Sequence, residues 1–341
     1  MNSWQGKRVL ITGVSGTVGA ELLRQIVAKN PAEVIGIDNN ESALFFVDQE
    51  YSGQNAVNLY LGDIRDKEKL MRMMSGVDIV LHAAALKHVV LCEKTPYDAV
   101  QTNIFGTQNL IDAAIANNVE RVLFTSSDKA VNPTNVMGTS KLMGERLMTA
   151  ASARRREGGP IFLSTRFGNI LGSRGSVIPI FKRQIAAGGP LTLTDPAMTR
   201  FIMTLEEAVK LVIDSVFMAC GGEVFVTKMP VVRIADLAAI MIEKLAGQAA
   251  AIEVKVIGSK PGEKLYEELM NEEETRRTAE LPSYFSVLPA FKSVYETIEY
   301  RYREMGKVGI SAPYNSATQP PMCKTDLAAY LDEHRLLEED K

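Results

Sequence analysis

Thr12-Gly13-Val14-Ser15-Gly16-Thr17-Val18-Gly19 places three glycines at three-residue spacing directly after the apolar run Val9 to Ile11. Between a strand and a helix each glycine meets a physical need, namely a turn with positive φ, a close backbone approach to a pyrophosphate, and tight packing of helix on strand. The anion would lie on the helix N-terminus beside Ser15, Thr17 and Val18, which is the chemistry of dinucleotide binding. Asp38 stands nineteen positions after Gly19, at the end of the next apolar run, and is followed by Asn39, Asn40 and Glu41. A carboxylate there accepts the adenosine ribose hydroxyls and repels a 2′-phosphate, and no arginine follows it, so NAD is expected and NADP is disfavoured. A glycine turn that holds no nucleotide is the competing reading.

Later apolar runs also end in small or polar residues. Gly62-Asp63-Ile64 is placed to reach the adenine, and the small side chains of Ala83, Ala84 and Ala85 leave room for the dinucleotide. Lys87 and His88 follow within reach of a sugar or phosphate. Thr125-Ser126-Ser127-Asp128-Lys129 closes the run that begins at Arg121, so its polar cluster emerges at the same edge, beside the nicotinamide. An adjacent Asp-Lys pair there is either a solvated ion pair or an acid and a base. Met137-Gly138-Thr139-Ser140-Lys141 follows. Residues i and i+4 share a helix face, so Met137 and Lys141 lie together, and a thioether exchanges no proton.

These residues need a scaffold that brings strand ends to one edge. Apolar, β-branched runs at Arg8 to Thr12, Glu33 to Asp38, Asn58 to Gly62, Asp78 to Ala83, Arg121 to Ser127, Ile161 to Arg166 and Glu223 to Thr227 alternate with helical patterns such as Gly19 to Asn30, Asp66 to Met74 and Pro96 to Asn118. Continuous rather than alternating apolar strands belong to a parallel sheet covered on both faces. The expected fold is α/β, a Rossmann-type doubly wound parallel sheet with a smaller C-terminal substrate-binding lobe. Residues 1–166 form the NAD-binding domain, with 204–228 returning to it through a helix capped by Thr204-Leu205-Glu206-Glu207. Residues 167–203 and 229–341 form the lobe, including Val232 to Leu245 and Glu263 to Glu268, and a tail with a helix at Thr325 to Leu337.

The 341 residues are 46% hydrophobic and 23% charged, with a net charge of -3. That excludes disorder and a disulfide miniprotein, and it offers no basic field for nucleic acid. Cys92, Cys220 and Cys323 are far apart, and His82, His88 and His334 are the only histidines, so no metal site is expected. The chain enters its first strand at once, leaving no room for a signal peptide, and lacks the ~18 apolar residues of a membrane span, so a soluble, cytoplasmic protein is expected.

At these residues the chain resembles the extended short-chain dehydrogenase/reductase superfamily. Within it the resemblance is to the nucleotide-sugar 4,6-dehydratases of polysaccharide biosynthesis, the CapD-like group acting on UDP-N-acetylglucosamine. The resemblance is carried by the glycine turn, Ala83 to His88, Ser127 to Lys141, Arg166-Phe-Gly-Asn169 to Pro179, Met198-Thr-Arg200-Phe201 and Lys260-Pro-Gly-Glu263-Lys264-Leu-Tyr266, and it runs from about residue 6 to 270. The superfamily's Tyr-x-x-x-Lys pair would fall on Met137 and Lys141, and the CapD-like group also has methionine there.

The resemblance implies a catalytic set of Ser127, Asp128, Lys129, Met137 and Lys141. Hydride passes from sugar C4 to NAD, Lys129 as base removes the acidified C5 proton, Asp128 as acid protonates the departing C6 hydroxyl, and the hydride returns to C6. Lys129 should then have a lowered pKa and Asp128 should be held protonated by burial. The C4 hydroxyl proton leaves through Asp128 or a water relayed to Lys141. Thr12, Lys87, Asn103, Ser126 and Lys141 join the cofactor side, with an ordinary polar helix residue as the alternative for Asn103. Asn169, Ser173, Val177, Pro179 and Thr194 line the nucleotide-sugar pocket, with Arg200, Lys260 and Glu263 toward the diphosphate and ribose. A homo-oligomer is implied, and no membrane insertion. The competing functions are a nucleotide-sugar 4-epimerase or 4-ketoreductase, which needs no elimination pair, and a non-catalytic NAD-binding protein.

Overall fold

The structure is a computed structural model that describes residues 3–153, 158–173, 176–246, 252–259, 262–291 and 298–338. Six strands alternate with helices through the first half: β1 (Arg8–Thr12), β2 (Glu33–Asp38), β3 (Val57–Leu61), β4 (Ile79–His82), β5 (Arg121–Ser127) and β6 (Ile161–Phe167). Short strands follow: β7 (Asn169–Ile170), β8 (Leu191–Leu193), β9 (Thr199–Met203), β10 (Val224–Thr227), β11 (Val231–Arg233), β12 (Val254–Val256), β13 (Glu268–Met270), β14 (Thr278–Glu280), β15 (Tyr284–Val287) and β16 (Tyr314–Asn315).

Nine of them form one sheet in the order β14-β15-β10-β6-β5-β4-β1-β2-β3. From β3 to β10 every pair is parallel, which brings the C-terminal ends of β1, β2, β4 and β5 to one edge. The chain winds outward from β1 to β3 and then crosses to β4 on the other side. Beyond the strand ends that reversal leaves a crevice. The central strands are apolar throughout because both faces are covered. The helices Thr17–Val27 and Leu205–Met218 bury Leu22, Leu23, Ile26, Val209 and Val212 on one face. On the other, Lys67–Met73, Gly106–Ala116 and Val136–Ala153 bury Leu70, Leu110, Ile111 and Met148. Each such side chain contributes about 1.5–3 kcal/mol of transfer free energy.

The expected cap of Leu205–Met218 is present: the Thr204 hydroxyl accepts from the Glu207 N–H at 3.1 Å, and the Glu207 carboxylate accepts from the Thr204 N–H at 2.7 Å. The helix expected over 96–118 runs from Pro96 to Ala116 with a π-helical stretch at Val100–Phe105, where one extra residue in the turn carries Asn103 inward.

The second half departs from the expectation. β14 and β15 add to the main sheet, antiparallel beside β10, so 229–341 is not confined to a substrate lobe. The short antiparallel strands carry no helical alternation and read as loops in sequence. Val232 belongs to β11 and its helix begins at Ile234, while residues 263–267 are loop leading into β13. The lobe itself packs the helices Val177–Ala186, Ile234–Ala246 and Lys324–Glu333 around Phe181, Leu193, Leu237 and Leu327. Tyr314, in the C-terminal tail, is built in as well. Tyr314 lies between Phe201 and Phe285, and its hydroxyl donates to the Met229 carbonyl at 3.0 Å.

A buried ion-pair triangle joins the halves. Arg166 at the end of β6 meets Glu145 at 2.7 Å and Glu274 at 2.8 Å, and donates to the Leu269 carbonyl at 2.9 Å. Burial would raise the Glu274 pKa, but the Arg166 charge and hydrogen bonds outweigh it and hold it down at about 2. Among the described residues no helix is long and apolar enough to cross a membrane.

Candidate active site

Gly13 directly follows β1 with φ +70°, and a Cβ there would lie 2.7 Å from the Ala84 backbone, so only glycine lets the turn rest against the chain leaving β4. A Cβ on Gly19 would overlap the Gly13 carbonyl oxygen. The Asp38 carboxylate closes the far side of the turn, accepting from the Ser15 N–H at 3.0 Å and the Asn40 N–H at 2.9 Å. The crevice between these strand ends is lined by Gly13, Ser15, Gly16, Thr17, Val18, Gly19, Asp38, Asn39, Asp63, Ile64, Ala83, Ala84, Ala85 and Lys87. All of these were expected on the cofactor side. Asn40, Ala43, Leu86 and Thr102 line it too, as does His88, which the sequence had placed at the substrate. A glycine turn packed too closely for side chains at Gly13 and Gly19, at a helix N-terminus with a carboxylate beside it, fits a nicotinamide dinucleotide.

Four expected cofactor residues stand behind this wall. Thr12 accepts from the Ala84 N–H at 3.2 Å and lies 2.7 Å from Nδ1 of buried His82, whose Nε2 is 3.2 Å from the Thr107 hydroxyl. Thr107 donates to the Asn103 carbonyl, so the consistent assignment is a neutral His82 donating from Nε2 and accepting at Nδ1. Burial, with the Lys141 charge adding to it, pushes the His82 pKa down to about 3. Asn103 clamps Leu86 by accepting from its N–H at 2.8 Å and donating to its carbonyl at 2.9 Å, and it donates to Ser140 at 2.8 Å. Lys141 is buried, donates to the Thr125 carbonyl at 2.8 Å and has its pKa lowered to about 8 by burial. The Ser126 hydroxyl is buried with no hydrogen-bond partner among the described residues. Thr12, Asn103 and Lys141 thus hold the backbone around the crevice.

Beyond β5 the chain makes a single 3₁₀ turn, Asp128–Ala130, which Ser127 caps. Oδ1 of buried Asp128 accepts from the Ser127 hydroxyl at 2.6 Å, the Lys129 N–H at 2.9 Å and the Lys129 ammonium at 3.0 Å. Its Oδ2 is buried with no partner among the described residues. Lys129 Nζ also lies 3.3 Å from Oε1 of Glu267, a residue the sequence reading did not select. Burial alone would lower the Lys129 pKa, but the two carboxylates outweigh it and push it up, opposite to the expected lowering. Burial and the nearby Asp128 charge raise the Glu267 carboxyl.

Met137 does not face this cluster. It is buried in a small apolar group with Cys92 and Ala99, so it serves as core where a proton-exchanging tyrosine was looked for.

Lys129 and Glu267 line a pocket with Asn169, Arg200, Glu263 and Lys264. A second pocket shares Asn169, Arg200 and Glu263 and extends over Val177, Phe181, Thr194 and Ile234. Buried Arg200 reaches Glu267 at 3.4 Å and Glu263 at 3.9 Å. Of the expected substrate residues, Asn169, Val177, Thr194, Arg200 and Glu263 meet here. Ser173 and Pro179 line neither pocket. Lys260 lies outside the described residues. No group of three or more metal-ligating side chains occurs among the described residues.

The family described as "Polysaccharide biosynthesis protein" matches residues 9–289. An uncharacterized membrane protein of Methanocaldococcus jannaschii is 48% identical over 292 residues, 84% of this chain and 87% of that one. The UDP-N-acetylglucosamine 4,6-dehydratase (inverting) of Campylobacter jejuni is 36% identical over 308 residues, 90% of each chain. The UDP-glucose 4-epimerase of Rickettsia typhi is 38% identical over 288 residues, 82% of each. Among solved structures, Pen from Bacillus thuringiensis superimposes with a TM-score of 0.90 at 39% identity, covering 99% of this chain and 100% of that one. DesIV, a dTDP-glucose 4,6-dehydratase from Streptomyces venezuelae with NAD and TYD bound, superimposes with a TM-score of 0.68 at 25% identity, covering 76% and 86%.

Proposed function

The chain belongs to the polysaccharide biosynthesis protein family and is a nucleotide-sugar dehydratase or epimerase of the short-chain dehydrogenase/reductase fold, and within that class we propose a UDP-N-acetylglucosamine 4,6-dehydratase. What carries this reading is the Asp128-Lys129 pair, with a buried carboxylate whose Oδ2 has no partner among the described residues, at the strand end beside the crevice. Moving a hydride on and off C4 needs only one group to take and return the hydroxyl proton, whereas expelling a C6 hydroxyl also needs a base for C5 and an acid for the leaving group, which an adjacent acid-lysine pair can supply.

NAD bound in the crevice would take the hydride from sugar C4 and return it at C6. Gly13, Gly16 and Thr17 would hold its pyrophosphate, and Asp38 its adenosine ribose, which favours NAD over NADP. Asp128 gives a proton to the leaving C6 hydroxyl, having taken one from the C4 hydroxyl. Arg200 reaches both pockets and would meet the diphosphate between sugar and base. Val177 and Thr194 face the nucleoside.

A 4-epimerase is the second reading, favoured by the Rickettsia typhi relative. Mass spectrometry after incubation with NAD and UDP-N-acetylglucosamine separates the two. The dehydratase product is lighter by one water, and an epimerase product is unchanged in mass.

A further inference from the structure

We propose that Glu267 is a positioning residue for the C5 base: one oxygen of its buried carboxylate ties the Lys129 ammonium to Arg200 and holds the lysine tip at the pocket. This rests on the 4,6-dehydratase reading, with Lys129 as its base and Asp128 as its acid. A lysine side chain is a flexible four-carbon stem, and a neighbour in sequence does not by itself fix where the tip points. Oε1 of Glu267 lies 3.3 Å from Lys129 Nζ and 3.4 Å from Arg200 Nε. Oδ1 of Asp128 lies 3.0 Å from the same Nζ. Two of the three donors of the ammonium are thereby given a direction.

Glu267 can act as an anchor because it is itself held. Its N–H donates to the Ser316 hydroxyl and its carbonyl accepts from the Ser316 N–H, both at 2.9 Å. The loop before it is fastened to the turn after Lys129, with Thr134 donating to the Gly262 carbonyl at 3.1 Å and Lys264 donating to the Val131 carbonyl at 3.1 Å. Arg200 is fixed in turn, since its guanidinium donates to the Thr199 and Lys264 carbonyls at 2.8 Å and to the Leu265 carbonyl at 3.2 Å. The result is a carboxylate 4% exposed that still lines the pocket containing Lys129 and Arg200.

The charged groups facing Lys129 are Asp128 from its own turn, Glu267 from the loop entering β13 and Arg200 from β9. Glu263 lies beyond Arg200, and Lys264 is engaged with Glu268 at 2.8 Å. A carboxylate this close favours the ammonium, whereas the base for C5 must be the free amine. Glu267 therefore sets, together with Asp128, the pH above which Lys129 works. Removing its charge lets the lysine give up its proton at lower pH and leaves the tip with one carboxylate anchor instead of two. A Glu267 that merely packs the loop has no effect on that pH.

The test measures kcat and kcat/KM for water loss from UDP-N-acetylglucosamine by mass spectrometry, using the full chain with NAD between about pH 6 and pH 10. In the parent, kcat/KM should rise with pH as Lys129 loses its proton. Glu267→Gln keeps shape and a hydrogen-bond acceptor without the charge. The midpoint of its rise should lie at least about one pH unit below that of the parent. Above the midpoint its kcat should fall at least about tenfold, with KM changed by no more than about threefold. Glu267→Asp withdraws the charge by one methylene and should give a midpoint between those two. If Glu267→Gln does not fold, Glu267→Asp decides the matter, with a midpoint at least about 0.3 pH unit below that of the parent. A midpoint that stays at the parent position overturns the assignment whatever happens to the rate, because a packing role slows the enzyme without moving the titration of its base. In that case a parent that releases water keeps the dehydratase reading. If the parent releases no water at any pH and only inverts C4, the dehydratase reading falls and this assignment falls with it.

Discussion

The Lys129 ammonium lies 3.0 Å from Oδ1 of Asp128, its neighbour in sequence, while Oδ2 of the same carboxylate is buried with no partner among the described residues. In the proposed acid role, the oxygen not engaged by lysine is the one that would carry the proton. Asp128→Asn should lower water loss from UDP-N-acetylglucosamine by at least about 100-fold, with NAD affinity by calorimetry changed by no more than about threefold. A fully active Asp128→Asn would remove Asp128 from the acid role.

On the proposed reading Asp38, at the crevice rim, favours NAD over NADP through its charge. Its replacement by serine removes the repulsion of a 2′-phosphate. The ratio of NADP to NAD affinity should rise at least about tenfold, worth about 1.4 kcal/mol. Titration of the variant with both dinucleotides measures it. An unchanged ratio would place the adenosine ribose away from Asp38.

His82 makes stability depend on pH. Its folded pKa is near 3, below the ordinary 6.5, so below pH 6.5 the unfolded chain takes up a proton that the folded one refuses. The stability this group contributes is complete above 6.5 and is lost as pH falls toward 3. In denaturant titrations across that window, the parent should lose up to about 1.4 kcal/mol more per pH unit than His82→Gln. Parallel slopes would mean that His82 is protonated in place.

Arg166 is bracketed by two buried carboxylates. Arg166→Met leaves Glu145 and Glu274 facing each other without a cation, which should destabilise the fold by roughly 3–5 kcal/mol in denaturant melts. A loss below about 1 kcal/mol would show that water reaches the triangle.

Local signals were the readable ones. The glycine turn, Asp38 and the Ala83 to Ala85 stretch announce themselves because each lies at a strand end and its neighbours in sequence are its neighbours in space. Glu267 was not readable, since it meets Lys129 from more than a hundred residues away through a loop with no periodicity. That one contact also explains why Lys129 is pushed up rather than down: sequence shows Asp128 beside it, and the second carboxylate arrives only with the fold. β14 and β15 were missed for a related reason, as strands of three and four residues joined by a tight turn do not carry a helical alternation. Met137, expected in the catalytic set, packs beside Cys92 and Ala99, a place that depends on helix packing that spacing alone does not give.

Whether the protein eliminates water is decided by proton NMR of the purified chain with NAD and UDP-N-acetylglucosamine in deuterated water. A new C6 methyl signal from a 4-keto or hydrated 4-keto product is expected, with deuterium entering at C5. A C4-inverted sugar with its C6 hydroxymethyl group intact would contradict the dehydratase chemistry proposed for Asp128 and Lys129.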